Sequence, residues 1–344
     1  MNHHNLIAID IAKSSFHAVR LINNKVTTDK AFNRQQLKTW LAKQTKAHVV
    51  IEACGSAHYW ARYVRQYGHS AQLITPKHVS AFRQGHKTDK NDALAIAVAS
   101  SSPNIKSVAI KTVDQQALQS IERIRQHLID NQTAVSNMIR GLLYEFGIVI
   151  SKGISAFKRD IPDILEDAEN GLPNILRPQI FDMYQSYLDA EQHLASVEKK
   201  LSQSIKQNEQ CQQLMALEGI GPINALNLIL ALGSKGASFK NGREASACIG
   251  LTPKQYSTGG VVVLGSIGKK SGNKRLRSTL IQGALAVVKV VEKRIPRNAK
   301  EVWLKGLIER AGKRRAAVAL ANKTIRTAWA ILKHGEDYRA PNAT

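Results

Sequence analysis

The sequence has few cysteines, few acidic residues and no long apolar run. Its three cysteines, Cys54, Cys211 and Cys248, lie far apart without a CxxC motif, so we expect them to be reduced and mostly buried. This spacing excludes a disulfide framework and argues against a zinc site. No apolar run approaches the roughly 20 residues of a membrane span, and MNHHNLIAID lacks the basic-then-apolar pattern of a signal peptide. We therefore expect a cytoplasmic protein without a membrane segment.

The shortage of acids leaves a strong positive charge. The chain has 49 Lys and Arg against 26 Asp and Glu, a formal net charge of +23. Residues 251–344 hold 20 Lys or Arg and 5 Asp or Glu, a net of +15. Such an excess predicts attraction to nucleic acid or to an anionic membrane surface. The alternative is that these residues only solubilise helices, although solubilising surfaces usually mix both signs. We expect the polyanion-binding surface to be mainly C-terminal.

The apolar content, 43% of 344 residues, is sufficient for the cores of two or three domains. The first hundred residues predict the order βββαβαβα. Three β-rich segments, NLIAIDIA, FHAVRLI and VTTDKAF, precede a helix that begins at Asn33. A strand AHVVIEA, a helix ending at Gly68, a strand SAQLIT and a helix from near Asp92 follow. This is the order of the ribonuclease H fold, although other α+β domains share parts of it.

Four acids lie at the ends of predicted strands or at the start of a predicted helix. Asp10 ends the first strand and Glu52 ends the fourth, and these strands are neighbours in a ribonuclease H-like sheet. Asp89 and Asp92, three residues apart on the first turn of a helix, share nearly one face. Four such carboxylates repel one another unless a cation lies between them, and Mg²⁺ prefers carboxylate oxygens, water and phosphate. Singly, each acid is also explained as a cap, a first-turn acid or a rim charge.

The middle of the chain predicts long helices. Apolar residues recur at helical spacing from Val113 to about Gly147. After a looser stretch with Pro162, Pro173 and Pro178, a second amphipathic run begins at QIFDMYQSYLDA. The pattern favours a projecting helical arm or coiled coil, and helices packed within a globular domain are the alternative.

Two further motifs lie near the basic region. GIGP, between two apolar helices, is typical of a helix-hairpin-helix whose turn N–H groups bind a DNA phosphate, and a plain helix–helix turn explains it equally well. In QYSTGGVVVLGSIGKKSGNKRLR, Ser257 and Thr258 precede Gly259 and Gly260, which predicts a flexible turn that a phosphate can approach closely. An ordinary hairpin turn is the alternative. The cations available for flanking phosphates are Lys269, Lys270, Lys274, Arg275 and Arg277.

These segments together resemble one known family. IAIDIAK, VVIEACGS and KTDKNDALAIA resemble the three acidic motifs of the DEDD transposases of bacterial insertion sequences, relatives of the pilin-gene invertase. IERIRQHLIDNQTAVSNMIRGLLYEFGI and GLTPKQYSTGGVVVLGSIGKKSGNKRLRSTLIQGA resemble the same family, so that nearly the whole chain is covered. The resemblance implies a RuvC-like, ribonuclease H-fold catalytic domain in residues 1–150, a helical arm or coiled coil in 151–208, and a mainly helical DNA-binding domain in 209–344.

The resemblance also implies a reaction. Members of the family are thought to cut DNA with a serine in the turn, forming a covalent protein–DNA link, while the acidic cluster and its Mg²⁺ activate the attack. In this chain the position directly before the glycine is Thr258, and Ser257 precedes it. We favour Ser257 narrowly because it is the less hindered alcohol, although register favours Thr258. A second departure is the apolar VVV after the glycines, where a basic residue is expected.

The implied partners are DNA and further copies of the chain. Strand exchange needs at least two cuts held together, which predicts a dimer or tetramer acting at the bacterial nucleoid. Some members use a structured bridge RNA as a guide, and the surplus positive charge permits such a partner. Two other functions stay open at this point. One is a Mg²⁺-dependent nuclease resembling a Holliday-junction resolvase, which activates water, and the other is a non-catalytic nucleic-acid-binding protein.

Overall fold

The computed structural model describes residues 5–103, 105, 107–268 and 272–340. They form two compact units. The residues before 113 and after 212 make up the first unit, and Val113–Gln212 makes up the second. The three-region division with boundaries near residues 150 and 208 stays a prediction.

A mixed six-stranded sheet forms the N-terminal part of the first unit. Its strands are β1 (Asn5–Ile11), β2 (Ser15–Ile22), β3 (Lys25–Asn33), β4 (His48–Glu52), β5 (Ser70–Ile74) and β6 (Ser107–Val108). Their order across the sheet is β3-β2-β1-β4-β5-β6. The first three strands are antiparallel, β4 is parallel to both β1 and β5, and β6 is antiparallel to β5. The predicted order of the strands is confirmed, as is the adjacency of the first and fourth.

Local chemistry explains where these elements begin and turn. The helices are α1 (Arg34–Ala42), α2 (Ala57–Gln66), α3 (Pro76–Ser80) and α4 (Asp89–Ser101). Asn23 and Asn24 both have positive φ, which gives the β2–β3 hairpin a tight turn with the twist of its strands. Asn33 and Gln36 form a reciprocal capping box at the start of α1. Thr88 accepts a hydrogen bond from the Asn91 N–H, so α4 begins at Asp89, three residues earlier than predicted.

Alternation along the strands divides the core between the two faces of the sheet. Ile7 and Ile9 of β1 pack with Trp60 of α2 on one face. Leu6 and Ala8 point to the opposite face, where α4 packs across β1, β2 and β4. Side chains two residues apart on a strand share a face. Asp10 therefore points to the same face as Leu6 and Ala8, towards α4. By the same alternation, Glu52 points to the face on which Val50 lies.

Three helices form the second unit: α5 (Val113–Glu145), α6 (Ile154–Glu166) and α7 (Arg177–Lys206). The helices α5 and α7 run antiparallel, because Arg125 near the start of α5 pairs with Glu198 near the end of α7. At the other end, Ile139 of α5 shares an apolar cluster with Tyr184 of α7 and Phe157 of α6. Both long helices were predicted; a coiled coil stays a prediction.

The helix α6 corrects the expectation of a looser stretch around Pro162. Pro162 lies inside α6, where it cannot donate the usual hydrogen bond to the carbonyl four residues earlier. That carbonyl belongs to Lys158, and it accepts a hydrogen bond of 3.2 Å from the Tyr184 hydroxyl instead. A contact from another helix thus compensates for the proline, and no local sequence pattern reveals it.

The C-terminal part of the first unit is mainly helical. The helix α8 (Glu209–Met215) begins in the second unit and ends in the first. The elements after it are α9 (Pro222–Leu232), a 3-10 turn at Ser234–Gly236, α10 (Gly242–Ile249), β7 (Pro253–Thr258), β8 (Val261–Ile267), α11 (Lys274–Glu292), α12 (Ala299–Ala311) and α13 (Lys313–His334). The helix α13 packs against α10, α11 and α12. GIGP forms a turn between α8 and α9, where a Cβ on Gly219 would lie 2.7 Å from the Gly283 carbonyl oxygen of α11. Close packing accounts for this glycine, and DNA binding by the turn stays a prediction.

The cysteines are unpaired: Cys211 is buried, Cys54 is half-buried and Cys248 is exposed. The expectation of mostly buried thiols therefore fails for Cys248. Within the described ranges, no helix combines the length and the apolar character that crossing a bilayer requires.

Candidate catalytic site

The four predicted acids lie around the carboxyl ends of the central strands. Asp10 is the penultimate residue of β1 and Glu52 is the last of β4, and the parallel pairing Ile9 to Ile51 brings them side by side. Asp89 and Asp92 occupy the first turn of α4, the helix that covers this face. Asp10, Glu52 and Asp92 are half-buried, whereas Asp89 is exposed. The fold thus gathers acids from three separate stretches of chain.

The carboxylates interact electrostatically. Burial raises the pKa of Asp10 above its ordinary 3.8, and the negative charges of Asp92 and Asp89 raise it further. Burial likewise raises the pKa of Glu52, with Asp10 and Asp92 adding to the effect. Each of these two groups is therefore held where a neighbouring negative charge disfavours its ionised form.

Nearby cations offset part of this repulsion. Arg83 donates to an Asp92 carboxylate oxygen at 3.2 Å, and Lys87 and Arg83 both act to lower the pKa of Glu52. These two cations extend from the segment between α3 and α4. Glu52 and Asp10 keep raised pKa values in their presence, so the compensation is incomplete.

The donor chemistry fits a hard divalent cation. Four carboxylates supply only oxygen ligands, which Mg²⁺ prefers, and their mutual repulsion is the penalty that a bound cation removes. In the part of the chain that the structure describes, no three ligand-type side chains stand close enough to hold an ion as they are arranged. Arg83 holds Asp92 by one oxygen, so binding of an ion by all four acids involves side-chain rearrangement.

The two candidate nucleophiles lie on an exposed hairpin. Ser257 and Thr258 are the last residues of β7, paired with Val262 and Val261 of β8. Gly259 and Gly260 form the turn, both with positive φ. Because side chains alternate along a strand, the two hydroxyls point to opposite faces of the hairpin. Ser257 Oγ accepts a hydrogen bond of 3.1 Å from Gln255, which lies on its own face.

The predicted phosphate-binding cations differ in their exposure. Lys274 is exposed and Arg275 is half-exposed at the start of α11, whereas Arg277 is buried. Arg277 donates from Nη1 to the Ile249 carbonyl oxygen at 2.9 Å, which ties α11 to the end of α10. Lys269 and Lys270 lie outside the described residues.

Sequence reasoning missed a group of residues beside the acids. Asp29 of β3 accepts hydrogen bonds from His17 and from Lys90, each at 2.7 Å. Lys90 lies between Asp89 and Asp92, so this contact connects the far strand of the meander to the start of α4. The antiparallel pairing of β2 and β3 puts Asp29 two positions from the partner of His17. The register follows from the structure, and no local sequence pattern suggests the contact with Lys90.

Cys54 is a second missed neighbour. Its thiol donates to the Ile11 carbonyl oxygen at 3.8 Å, and burial raises its pKa, with the charges of Glu52 and Asp10 adding to the effect. The thiol is therefore a neutral group at the edge of the acidic cluster.

Known proteins resemble this chain along nearly its whole length. A transposase family model matches residues 7–148, and a second, described as Transposase IS116/IS110/IS902 family, matches residues 211–300. The transposase for insertion sequence element IS1111A of Coxiella burnetii is 37% identical over 335 residues, covering 97% of this chain and 91% of that protein. A probable family 20 transposase of Pseudomonas aeruginosa is 36% identical, with 97% and 98% covered. The pilin gene-inverting protein of Moraxella bovis is 22% identical over 352 residues, with 96% and 97% covered.

Proposed function

The chain belongs to the IS116/IS110/IS902 family of insertion-sequence transposases, enzymes that cut and rejoin DNA, and we propose that it does so through a covalent protein–DNA intermediate. The proposal assigns metal binding to Asp10, Glu52, Asp89 and Asp92 and attack on phosphorus to a hydroxyl of the β7–β8 hairpin. The observation that supports it is the electrostatic interaction of the four acids at one edge of a ribonuclease H-like sheet. We propose that the domain is RuvC-like.

The metal of this proposal is Mg²⁺, held by the four acids. When bound, it offsets negative charge that develops on a scissile phosphate and favours the ionised form of an attacking hydroxyl. The protein supplies the remaining control. Arg83 and Lys87 orient and partly neutralise the acids, and Lys90 is held by Asp29.

The covalent step uses Ser257 or Thr258. The hydroxyl releases its proton to solvent as its oxygen forms a bond to phosphorus. The bond from phosphorus to a deoxyribose oxygen breaks, and that leaving oxygen takes up a proton from solvent. Because the two hydroxyls point to opposite faces of the hairpin, DNA bound on one face meets only one of them. We favour Ser257, the less hindered alcohol. The exposed Lys274 and the half-exposed Arg275, together with Lys269 and Lys270, are proposed to bind flanking phosphates.

The assembly is proposed to contain at least two copies of the chain, because strand exchange requires two cuts held together. The antiparallel pair α5 and α7 is the candidate arm for that contact, as a coiled coil. A structured guide RNA is a proposed second partner, supported by the net charge of +23, and the site of action is the nucleoid.

A covalent-trapping experiment tests the proposal. The purified chain is incubated with Mg²⁺ and DNA carrying the ends of its element, and with the element's RNA in a parallel arm. Denaturing electrophoresis is expected to reveal protein covalently linked to DNA. Peptide mapping is expected to locate the phosphoester at Ser257, and Ser257→Ala is expected to abolish it while Thr258→Ala retains it.

The metal site is tested in the same assay. Asp10→Asn is expected to abolish the adduct, and Asp182→Asn, an exposed acid of α7, is the matched control and is expected to retain it. Free DNA ends without an adduct would favour a water-activating nuclease resembling a junction resolvase. Undiminished recombination by Asp10→Asn would contradict the metal assignment.

A further inference from the structure

A large basic groove lies in the C-terminal part of the first unit, apart from the acids and the hydroxyl residues. It encloses about 1540 Å³ between the start of α10, the base of the β7–β8 hairpin, α12 and α13. Small-molecule sites usually measure about 300–1,000 Å³, so this groove suits a longer ligand. Its cationic lining residues are Arg243, Arg314, Arg315, Lys323 and Arg326, and among the described residues no Asp or Glu lines it.

The floor of the groove is one face of α13. Arg315, Ala319, Asn322, Arg326 and Ala330 line it at spacings of four, three, four and four residues. This spacing puts them on one stripe of the helix. The small side chains of Ala319 and Ala330 leave depth in the groove. Along the stripe, Arg315 precedes Ala319 and Arg326 follows it.

The wall near Arg326 is fixed by close backbone packing. Gly242 begins α10, and a Cβ at this position would lie 2.8 Å from the Arg326 Cα. Only glycine permits this approach of α10 to α13. Arg326 itself is exposed, so its guanidinium extends from a rigid wall.

Two tryptophans line the groove and differ in their contacts. Trp329 Nε1 donates to the carbonyl oxygens of Gly236 and Phe239, both at 3.2 Å, which makes it part of the wall. Trp303 of α12 is half-exposed, and the Lys323 ammonium lies 4.6 Å from the centre of its ring. A nucleobase stacks on this ring face by displacing the ammonium of Lys323, which can then pair with a phosphate.

We propose that this groove binds a single strand of nucleic acid, with phosphates at the arginines and a base stacked on Trp303. The inference rests on the proposed function, since it adds a second nucleic-acid contact to the same enzyme. Unpaired bases expose their faces to aromatic and apolar surfaces, whereas a duplex hides them and presents mainly phosphates. The half-exposed ring of Trp303 beside the arginines of the floor therefore favours a single strand over a duplex. The groove adjoins the base of the hairpin whose far end carries Ser257 and Thr258.

Binding is measured by fluorescence anisotropy with the full chain carrying Asp10→Asn, so that cleavage does not affect the result. The probes are deoxythymidine and uridine oligomers of about 10 nucleotides, within the range that such grooves cover, and a duplex of equal length. Trp303→Leu is expected to weaken binding of both single strands about fivefold or more, the loss associated with one stacked base. Trp303→Phe, which keeps a ring, is expected to retain most of the affinity.

The charge contribution has its own variant and control. For single strands, each phosphate contact contributes about 0.7 to the slope of log affinity against log salt. Arg315→Gln combined with Arg326→Gln is therefore expected to reduce that slope by about 1.4. Arg310→Gln, an exposed cation of α12 outside the groove, is the matched control and is expected to leave it unchanged. Circular dichroism and melting temperature verify that each variant is folded.

The outcomes separate the proposals. If Trp303→Leu and the double variant act as expected, the proposed single-strand site is supported, whether the protein prefers DNA, prefers RNA or binds both equally. Equal loss of duplex and single-strand binding in Trp303→Leu would overturn it in favour of a duplex-binding face, and unchanged binding in both variants would overturn it outright. Formation of the covalent adduct by a variant that fails these binding tests leaves the proposed function intact.

Discussion

Asp10 and Glu52 are held where ionisation is unfavourable. Burial and the neighbouring carboxylates raise both pKa values, so in the metal-free protein the folded state binds protons more tightly than the unfolded state. Stability from these two groups is therefore greatest at low pH and is lost as pH rises from the ordinary values of 3.8 and 4.5 through the raised ones. A bound cation reverses this loss.

Asp10→Asn tests that account. In the presence of a chelator, the variant is expected to be more stable than the parent at pH 7, by an amount that shrinks as the pH approaches 4. Adding Mg²⁺ at about 100 times its dissociation constant is expected to stabilise the parent by about 2.7 kcal/mol and the variant by much less. Urea unfolding across this pH range measures both effects.

Asp182→Asn is the control, because this acid of α7 is exposed. It is expected to leave both the pH dependence and the response to Mg²⁺ as in the parent. A metal-free Asp10→Asn protein less stable than the parent at pH 7 would contradict the repulsion argument.

For single residues, the sequence predicted the positions that depend on the repeating pattern of strands and helices. The expectation that Asp10 and Glu52 converge came from their positions at the ends of neighbouring strands, and the three-residue spacing predicted one face for Asp89 and Asp92. Their joint role in binding a metal stays a prediction. Asp29 was missed because its partner Lys90 is 61 residues away in the chain. An ion pair between distant segments leaves no local pattern. Arg83 and Asp92 are only nine residues apart, but the irregular segment between α3 and α4 that joins them has no period from which their contact could be predicted.

Among the elements, α6 depends on a contact from outside itself. Pro162 leaves the Lys158 carbonyl without its usual helical partner, and the Tyr184 hydroxyl of α7 donates to it. Proline in a helix interior costs about 3 kcal/mol in isolation. Because Tyr184 is buried, its hydroxyl and this carbonyl stabilise each other where water is largely excluded.

A double-mutant cycle measures that dependence. Tyr184→Phe is expected to destabilise the parent by about 1–3 kcal/mol, since a carbonyl loses its donor. In a Pro162→Ala background the same change is expected to cost less, because the alanine N–H then bonds to Lys158. Chemical denaturation of the four proteins gives the coupling energy. Equal costs of Tyr184→Phe in both backgrounds would refute the compensation.

The elements differ in how far the sequence revealed them. The long helices α5 and α7 were evident from repeated helical spacing. The two-residue strand β6 and the five-residue helix α3 are too short to display a period, and α6 was hidden by its proline. The β7–β8 hairpin was anticipated as a turn, but the pairing of Ser257 and Thr258 as strand residues, with opposite orientation, required the register.

For the whole molecule the dominant property is its uneven charge. The net charge is +23, and residues 251–344 carry +15 of it. Like charges this dense repel one another in the folded state, and salt screens that repulsion over distances that shorten as its concentration rises.

Salt is therefore expected to act in opposite directions on stability and on binding. Raising NaCl from about 0.1 M to about 1 M, which shortens the screening length from ~10 Å to ~3 Å, is expected to raise the melting temperature of the free protein. A gain of about 1 kcal/mol corresponds to ~2–4 °C for a domain of this size. DNA affinity is expected to fall steeply over the same range.

Calorimetry and anisotropy on one protein preparation measure the two effects. Choline chloride is the control for specific sodium binding and is expected to produce the same upward shift. A melting temperature that falls with either salt would show that attractive ion pairs outweigh the net repulsion.

The division into units also constrains biosynthesis. The first unit joins residues before 113 to residues after 212, with Val113–Gln212 between them. A ribosome adding ~5–20 residues per second takes roughly 5–20 s to translate that intervening segment. During this interval the nascent sheet exists without the C-terminal helices of its own unit. Since α13 follows that segment in the chain, the groove proposed above to bind a single strand forms only after the segment has been translated.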